Sequence, residues 1–113
     1  MSPFVIRDDS SDDIAVIEVD GYVDFDAAPA LKRSIVRQID AGSRHLVIDL
    51  SAAEFIDSTA IGVLVGALKR LQESSGSLAV VCTNENILNI FEIVGLDDMI
   101  PLHRSRDDVA RAA

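Results

Sequence analysis

Leu46-Val47-Ile48-Asp49-Leu50 and, a few residues on, Ser58-Thr59-Ala60-Ile61-Gly62-Val63-Leu64-Val65-Gly66-Ala67-Leu68 are the stretches that decide the fold. The first is apolar except for one Asp. A run so short and continuous reads as a central strand covered on both faces. The second sets Ile61, Leu64, Val65 and Leu68, with Leu71 beyond, at helical spacing, and reads as a helix with one apolar face. Between them, Glu54-Phe55-Ile56-Asp57 reads as a loop, and the helix begins at Ser58. A buried strand feeding an amphipathic helix is the repeating unit of a parallel sheet.

Upstream, Phe4 to Arg7 and Ile14 to Val19 read as two strands. The polar turn Asp8-Asp9-Ser10-Ser11-Asp12-Asp13 joins them, which implies an antiparallel hairpin. Gly21-Tyr22-Val23-Asp24 leads into a helix with Asp26 as its N-cap and Pro29 in its first turn. Leu31, Ile35 and Ile39 form its apolar face, and Gly42 closes it. Downstream, Ser74-Ser75-Gly76-Ser77 is a turn and Leu78 to Val81 a strand. Asn84 caps a third helix carrying Ile87, Ile90, Phe91 and Val94, with Gly95 as its stop. Met99-Ile100-Pro101-Leu102 reads as an edge strand, since Pro has no place in a central ladder. A polar tail helix from Ser105 to Ala112 ends the chain. The predicted order is β-β-α-β-α-β-α-β-α: one α/β domain over residues 1–113, with a mainly parallel mixed sheet and packed helices. Gly62 and Gly66 lie one turn apart in the second helix, where each costs about 1 kcal/mol against Ala. Their placement suggests close approach by another backbone, either the sheet beneath or a docked partner.

Composition narrows the function. Of the 113 residues, 49% are hydrophobic, enough for a core without metal or disulfide. Aromatics are only 4%, and the net charge is −9, so nucleic-acid binding and attraction to anionic membranes are both disfavoured. The single Cys82 ends an apolar strand and reads as a small buried hydrophobe in a reducing compartment. Met1-Ser2-Pro3-Phe4 lacks a basic segment followed by an apolar stretch, so no signal peptide is expected, and the longest apolar run, Ala60 to Leu68, is too short to span a membrane. A cytoplasmic location is expected.

No nucleophile elbow, metal-ligand cluster or phosphate-binding glycine loop is present in the sequence, so no enzyme and no cofactor or metal is expected. The Asp cluster after the first strand lacks calcium-loop spacing and reads as a solvated turn. His45 and His103 read as surface or strand-edge residues. Asp24 and Asp57 fall near strand ends that the sheet brings together, but an acid/base pair needs a cleft and substrate-binding aromatics. Asp49, at a strand end, raises a phospho-aspartate receiver, but the early acidic pair and late Lys that a receiver needs are missing.

The start of the second helix has a more specific logic. A Ser or Asp there accepts hydrogen bonds from free backbone N–H groups. A phosphate on Ser58 would meet the same donors and the positive end of the helix dipole. Asp57, with Asp24 nearby, would repel it, and in an apolar interface its charge would block a partner by desolvation and repulsion. The plain alternative is that Asp57 or Ser58 is only an N-cap.

Asp57-Ser58-Thr59-Ala60-Ile61-Gly62 resembles the signature of the STAS domain of bacterial anti-sigma-factor antagonists, an Asp-Ser-(Ser/Thr)-Gly-(Leu/Ile)-Gly run opening a helix. Gly21-Tyr22-Val23-Asp24, His45 to Leu50, Asn84 to Phe91 and Val94-Gly95-Leu96 resemble further elements of that family, in the same order. The resemblance implies that the unphosphorylated protein binds an anti-sigma factor that is also a serine kinase, freeing the sigma factor. It implies phosphorylation at Ser58, with Thr59 the second choice, release of the partner, and a phosphatase that resets the switch. The kinase would hold ATP and magnesium, and this chain no cofactor. Asp24, Asp57, Ser58, Thr59, Ala60 and Gly62 would form the docking surface. Ala60 stands where the family has Gly, and its methyl group is expected to retune docking. The alternative within the family is a non-phosphorylated STAS subunit of a scaffold or lipid-transport complex.

Overall fold

A computed structural model describes residues 4–8 and 14–112. The Asp-rich turn expected between the first two strands falls mostly outside the described residues. The strands are β1 (Phe4–Asp8), β2 (Ala15–Val23), β3 (His45–Asp49), β4 (Ala53–Ile56), β5 (Ser77–Val81) and β6 (Leu102–His103). The helices are α1 (Ala28–Asp40), α2 (Ser58–Glu73), α3 (Glu85–Ile93) and α4 (Arg106–Ala112), with a 3-10 turn at Leu96–Asp98. The expected α/β class with a mixed, mainly parallel sheet is what the chain adopts. β1 pairs β2 antiparallel, and every other pairing is parallel.

One strand escaped the sequence reading. Ala53–Ile56, expected as loop, is β4, so the observed order has a strand between β3 and α2. β2 is long enough to hold two neighbours on one edge. Ala15 to Glu18 pairs with β3 and Gly21 to Val23 with β4. The chain turns at Leu50, where the Ala53 N–H donates to the Leu50 C=O at 3.0 Å, and resumes along the same edge. The register shifts between Gly21 and Tyr22, and Gly21 takes φ +85°, a left-handed value that glycine adopts without steric cost. The last strand also differs: Met99 and Ile100 belong to a turn, and β6 begins only after Pro101.

Side-chain alternation sorts the sheet into two unequal faces. Ile17, Val19, Ile48 and Val80 face one way, into the main core with Leu31 and Ile35 of α1, Leu64, Leu68 and Leu71 of α2, and Ile87 and Phe91 of α3. Each such side chain, fully buried, contributes roughly 1.5–3 kcal/mol of transfer free energy. The opposite face holds a smaller cluster, Val16, Val47 and Val81, packed with Ile14 and with Val109 of α4. Three helices thus cover one face, and α4 alone the other. Val94, expected on the apolar face of α3, is exposed just beyond the helix end, and Ile93, the last residue of α3, is exposed as well.

Candidate protein-binding site

The carboxyl ends of β2 and β4 lie side by side, tied by the Asp57 N–H donating to the Val23 C=O at 3.2 Å. Asp24 and Asp57 therefore follow adjacent strand ends, but the strand beside β2 is β4 and not the central strand expected to bring them together. Each carboxylate holds a backbone turn. Asp57 takes an extended conformation and accepts from the Ala60 N–H at 3.0 Å, making it the N-cap of α2. Asp24 accepts from the Asp26 and Ala27 N–H groups at 3.1 and 3.3 Å. The N-cap expected at Asp26 is thus corrected. A turn over Phe25 to Ala27 intervenes, α1 starts at Ala28, and Asp24 supports the turn.

Ser58 and Thr59 form the exposed first residues of α2. Among the described residues, neither their hydroxyls nor their N–H groups have a hydrogen-bond partner. A free hydroxyl and two unpaired amides thus sit at the positive end of a 16-residue helix. Ala60 is fully buried in the main core. Its methyl group packs into that core and adds no exposed surface beside Ser58 and Thr59. Gly62 and Gly66 are exposed, and a Cβ built on either meets nothing within 4 Å. The sheet beneath therefore does not require them. They open on a groove of about 550 Å³ between α1 and α2.

The sequence reading missed the aromatic residues beside this site. Tyr22 and Phe55 pair in register across β2 and β4, ring centroids 6.0 Å apart, and both are exposed. Phe25, directly after Asp24, is 66% exposed. Three of the five aromatic residues therefore face solvent around Asp24 and Asp57. The signal was present: each lies within two residues of one of those carboxylates in a chain poor in aromatics.

Other titratable groups are engaged elsewhere. Asp49 is buried. Burial pushes its carboxyl up, but hydrogen bonds from the Ser51 hydroxyl and N–H, and from Arg106, outweigh that and hold it below the usual carboxylate range. Arg106 Nε donates to Asp49 at 2.6 Å and its fork reaches Glu18 at 3.1 Å, while Arg7 bridges Glu18 and Asp20. Cys82 is buried, and burial raises its thiol. His45 begins β3, hydrogen-bonded to the Ser77 hydroxyl at 2.8 Å, and His103 lies on β6. Among the described residues, no three His, Cys, Asp or Glu side chains gather as a metal site, and no helix is long and apolar enough to cross a membrane.

Comparison with known proteins gives one consistent result. A sequence model of the STAS domain matches residues 6–109. The anti-sigma-B factor antagonist of Bacillus subtilis is 33% identical over 86 residues, 76% of this chain and 78% of that protein. The crystal structure of an anti-sigma factor antagonist from Mycobacterium paratuberculosis superposes with a TM-score of 0.88 at 30% identity, covering 96% of this chain and 92% of that one. The Bacillus cell fate determinant SpoIIAA in its phosphorylated form superposes with a TM-score of 0.73, covering 97% of this chain and 99% of that one. At 18% identity this likeness concerns the fold alone.

Proposed function

Because the chain belongs to the STAS-domain family, we propose that it is an anti-sigma-factor antagonist controlled at Ser58. Its unphosphorylated form binds an anti-sigma factor with serine-kinase activity and so frees the sigma factor. Phosphorylation of Ser58 ends the complex, and a phosphatase restores it. The observation that carries this reading is the Ser58 hydroxyl itself: exposed, without a hydrogen-bond partner among the described residues, and directly after the capping Asp57.

Asp24, Asp57, Ser58, Thr59 and Gly62 belong to the docking surface on this reading, with Tyr22, Phe25 and Phe55 as its apolar part. A phosphoserine carries roughly −1.5 to −2 charge at neutral pH. At Ser58 it would meet the free amides of the first helical turn, so the fold accommodates it. The partner would have to desolvate that charge beside Asp57 and the exposed rings, and this cost ends binding. ATP and magnesium belong to the kinase in this scheme.

The test captures wild type, Ser58→Ala and Ser58→Glu from host lysate and identifies the bound proteins by mass spectrometry. Ser58→Ala is expected to retain a kinase-like anti-sigma factor and Ser58→Glu to lose it. If all three forms retain the same set, the switch is wrong and a non-phosphorylated scaffold subunit becomes the better reading.

A further inference from the structure

The ten lysines and arginines are unevenly placed on this acidic chain. Five of them, Lys32, Arg33, Arg37, Lys69 and Arg70, stand on α1 and α2, against two of the nineteen carboxylates, Asp40 and Glu73. The two helices carry +3 and the rest of the chain −12, which together give the net −9. All five cations are exposed. Among the described residues only Arg70 is ion-paired, to Asp40 at 3.6 Å.

The groove between α1 and α2 runs through this patch. Val36, Val63 and Ala67 line its floor, Gly62 and Gly66 leave it open, and Lys32 and Arg70 stand at its rim. From Thr59 to Arg70 it follows α2 for about 16 Å, three turns of a helix. Apolar floor and cationic rim, on a molecule that is otherwise acidic, select an occupant by charge. An acidic amphipathic helix matches both parts, burying an apolar stripe and presenting carboxylates to the rim. Nucleic acid fits poorly, because the groove has no aromatic platform on which bases could stack.

We propose that the α1–α2 groove docks an acidic amphipathic helix of a partner protein, its apolar face on Val36, Val63 and Ala67 and its carboxylates against Lys32 and Arg70. This inference goes beyond the Ser58 switch and does not need it. Its test uses neither a Ser58 variant nor a kinase, so the two readings fail separately.

The probe is a designed helix of about four turns, with Leu at helical spacing and Glu elsewhere, titrated into the full-length ¹⁵N-labelled chain. A sister peptide carries Lys in place of Glu. The acidic peptide is expected to shift the amide resonances of Val36, Gly62 and Gly66, more weakly as salt rises, and the lysine peptide to leave them in place. Lys32→Glu/Arg70→Glu should weaken binding at least about tenfold. Gly66→Leu should abolish it by filling the groove, and it is expected to fold, because a Cβ there meets nothing within 4 Å. Unmoved groove amides, equal binding of the lysine peptide, or undiminished binding to Gly66→Leu would each overturn the proposal.

Discussion

Asp57 and Ser58 are chain neighbours with separable roles. The Asp57 carboxylate caps α2, whereas the Ser58 side chain is bonded to nothing among the described residues. Asp57→Ala is expected to lower stability by about 1 kcal/mol in urea denaturation. Ser58→Ala should stay within about 0.5 kcal/mol of wild type, as for most exposed positions. Equal stability would make any difference in partner capture by Ser58→Ala an effect on binding. Asp49 yields a prediction in pH. Its folded-state carboxyl lies below its unfolded value, so it adds stability above the unfolded value, about 3.9, and loses it as pH falls through the folded one. Asp49→Asn should therefore be less stable at neutral pH, with the gap to wild type closing below about pH 4 in pH-dependent denaturation. An unchanged gap down to pH 2, roughly two units below the unfolded value, would sink this account.

Among the elements, the glycines separate positions that the fold needs from positions it leaves open. Gly62→Ala and Gly66→Ala should each raise stability by about 0.5–1 kcal/mol, since the helix gains propensity and the methyl meets open space. Gly76 is the opposite case: a Cβ there would stand 2.2 Å from the Arg44 carbonyl oxygen, backbone that cannot yield cheaply. Gly76→Ala should cost about 2 kcal/mol or more, and thermal denaturation of the three variants checks the signs. The helices were legible because caps and apolar spacing mark them: Ser58 as the start of α2 and Asn84 as the cap of α3 both held. β4 was not legible. Four residues, Ala53-Glu54-Phe55-Ile56, are too few to display a period, and what makes them a strand is the free edge of β2, a tertiary fact. The same holds for the site. Asp57 and Ser58 could be read from local spacing, but the Tyr22–Phe55 pair exists only once β2 and β4 are in register.

Across the whole molecule, the sheet is unequally protected. α1, α2 and α3 close the main core, whereas the other face depends on α4, with Val109 over the small valine cluster and Arg106 on Asp49 and Glu18. Truncation after Ser105 would expose that cluster and leave Asp49 its Ser51 bonds alone. The shortened chain should bind a hydrophobic dye more strongly and unfold at lower temperature, with the main core still cooperative. If its melting temperature matched wild type, α4 would have no part in stability.

The two-neighbour edge of β2 bears on the order in which the molecule assembles. β3 fills the first half of that edge and β4 the second, and Asp24 and Asp57 follow the far end. A nascent chain that had joined β2 to β3 but not yet to β4 would own most of a sheet and only the β2 side of the proposed docking surface. On the function proposed above, recognition at Ser58 doubles as inspection: a binding protein that reads this corner engages finished molecules and passes over the half-made ones.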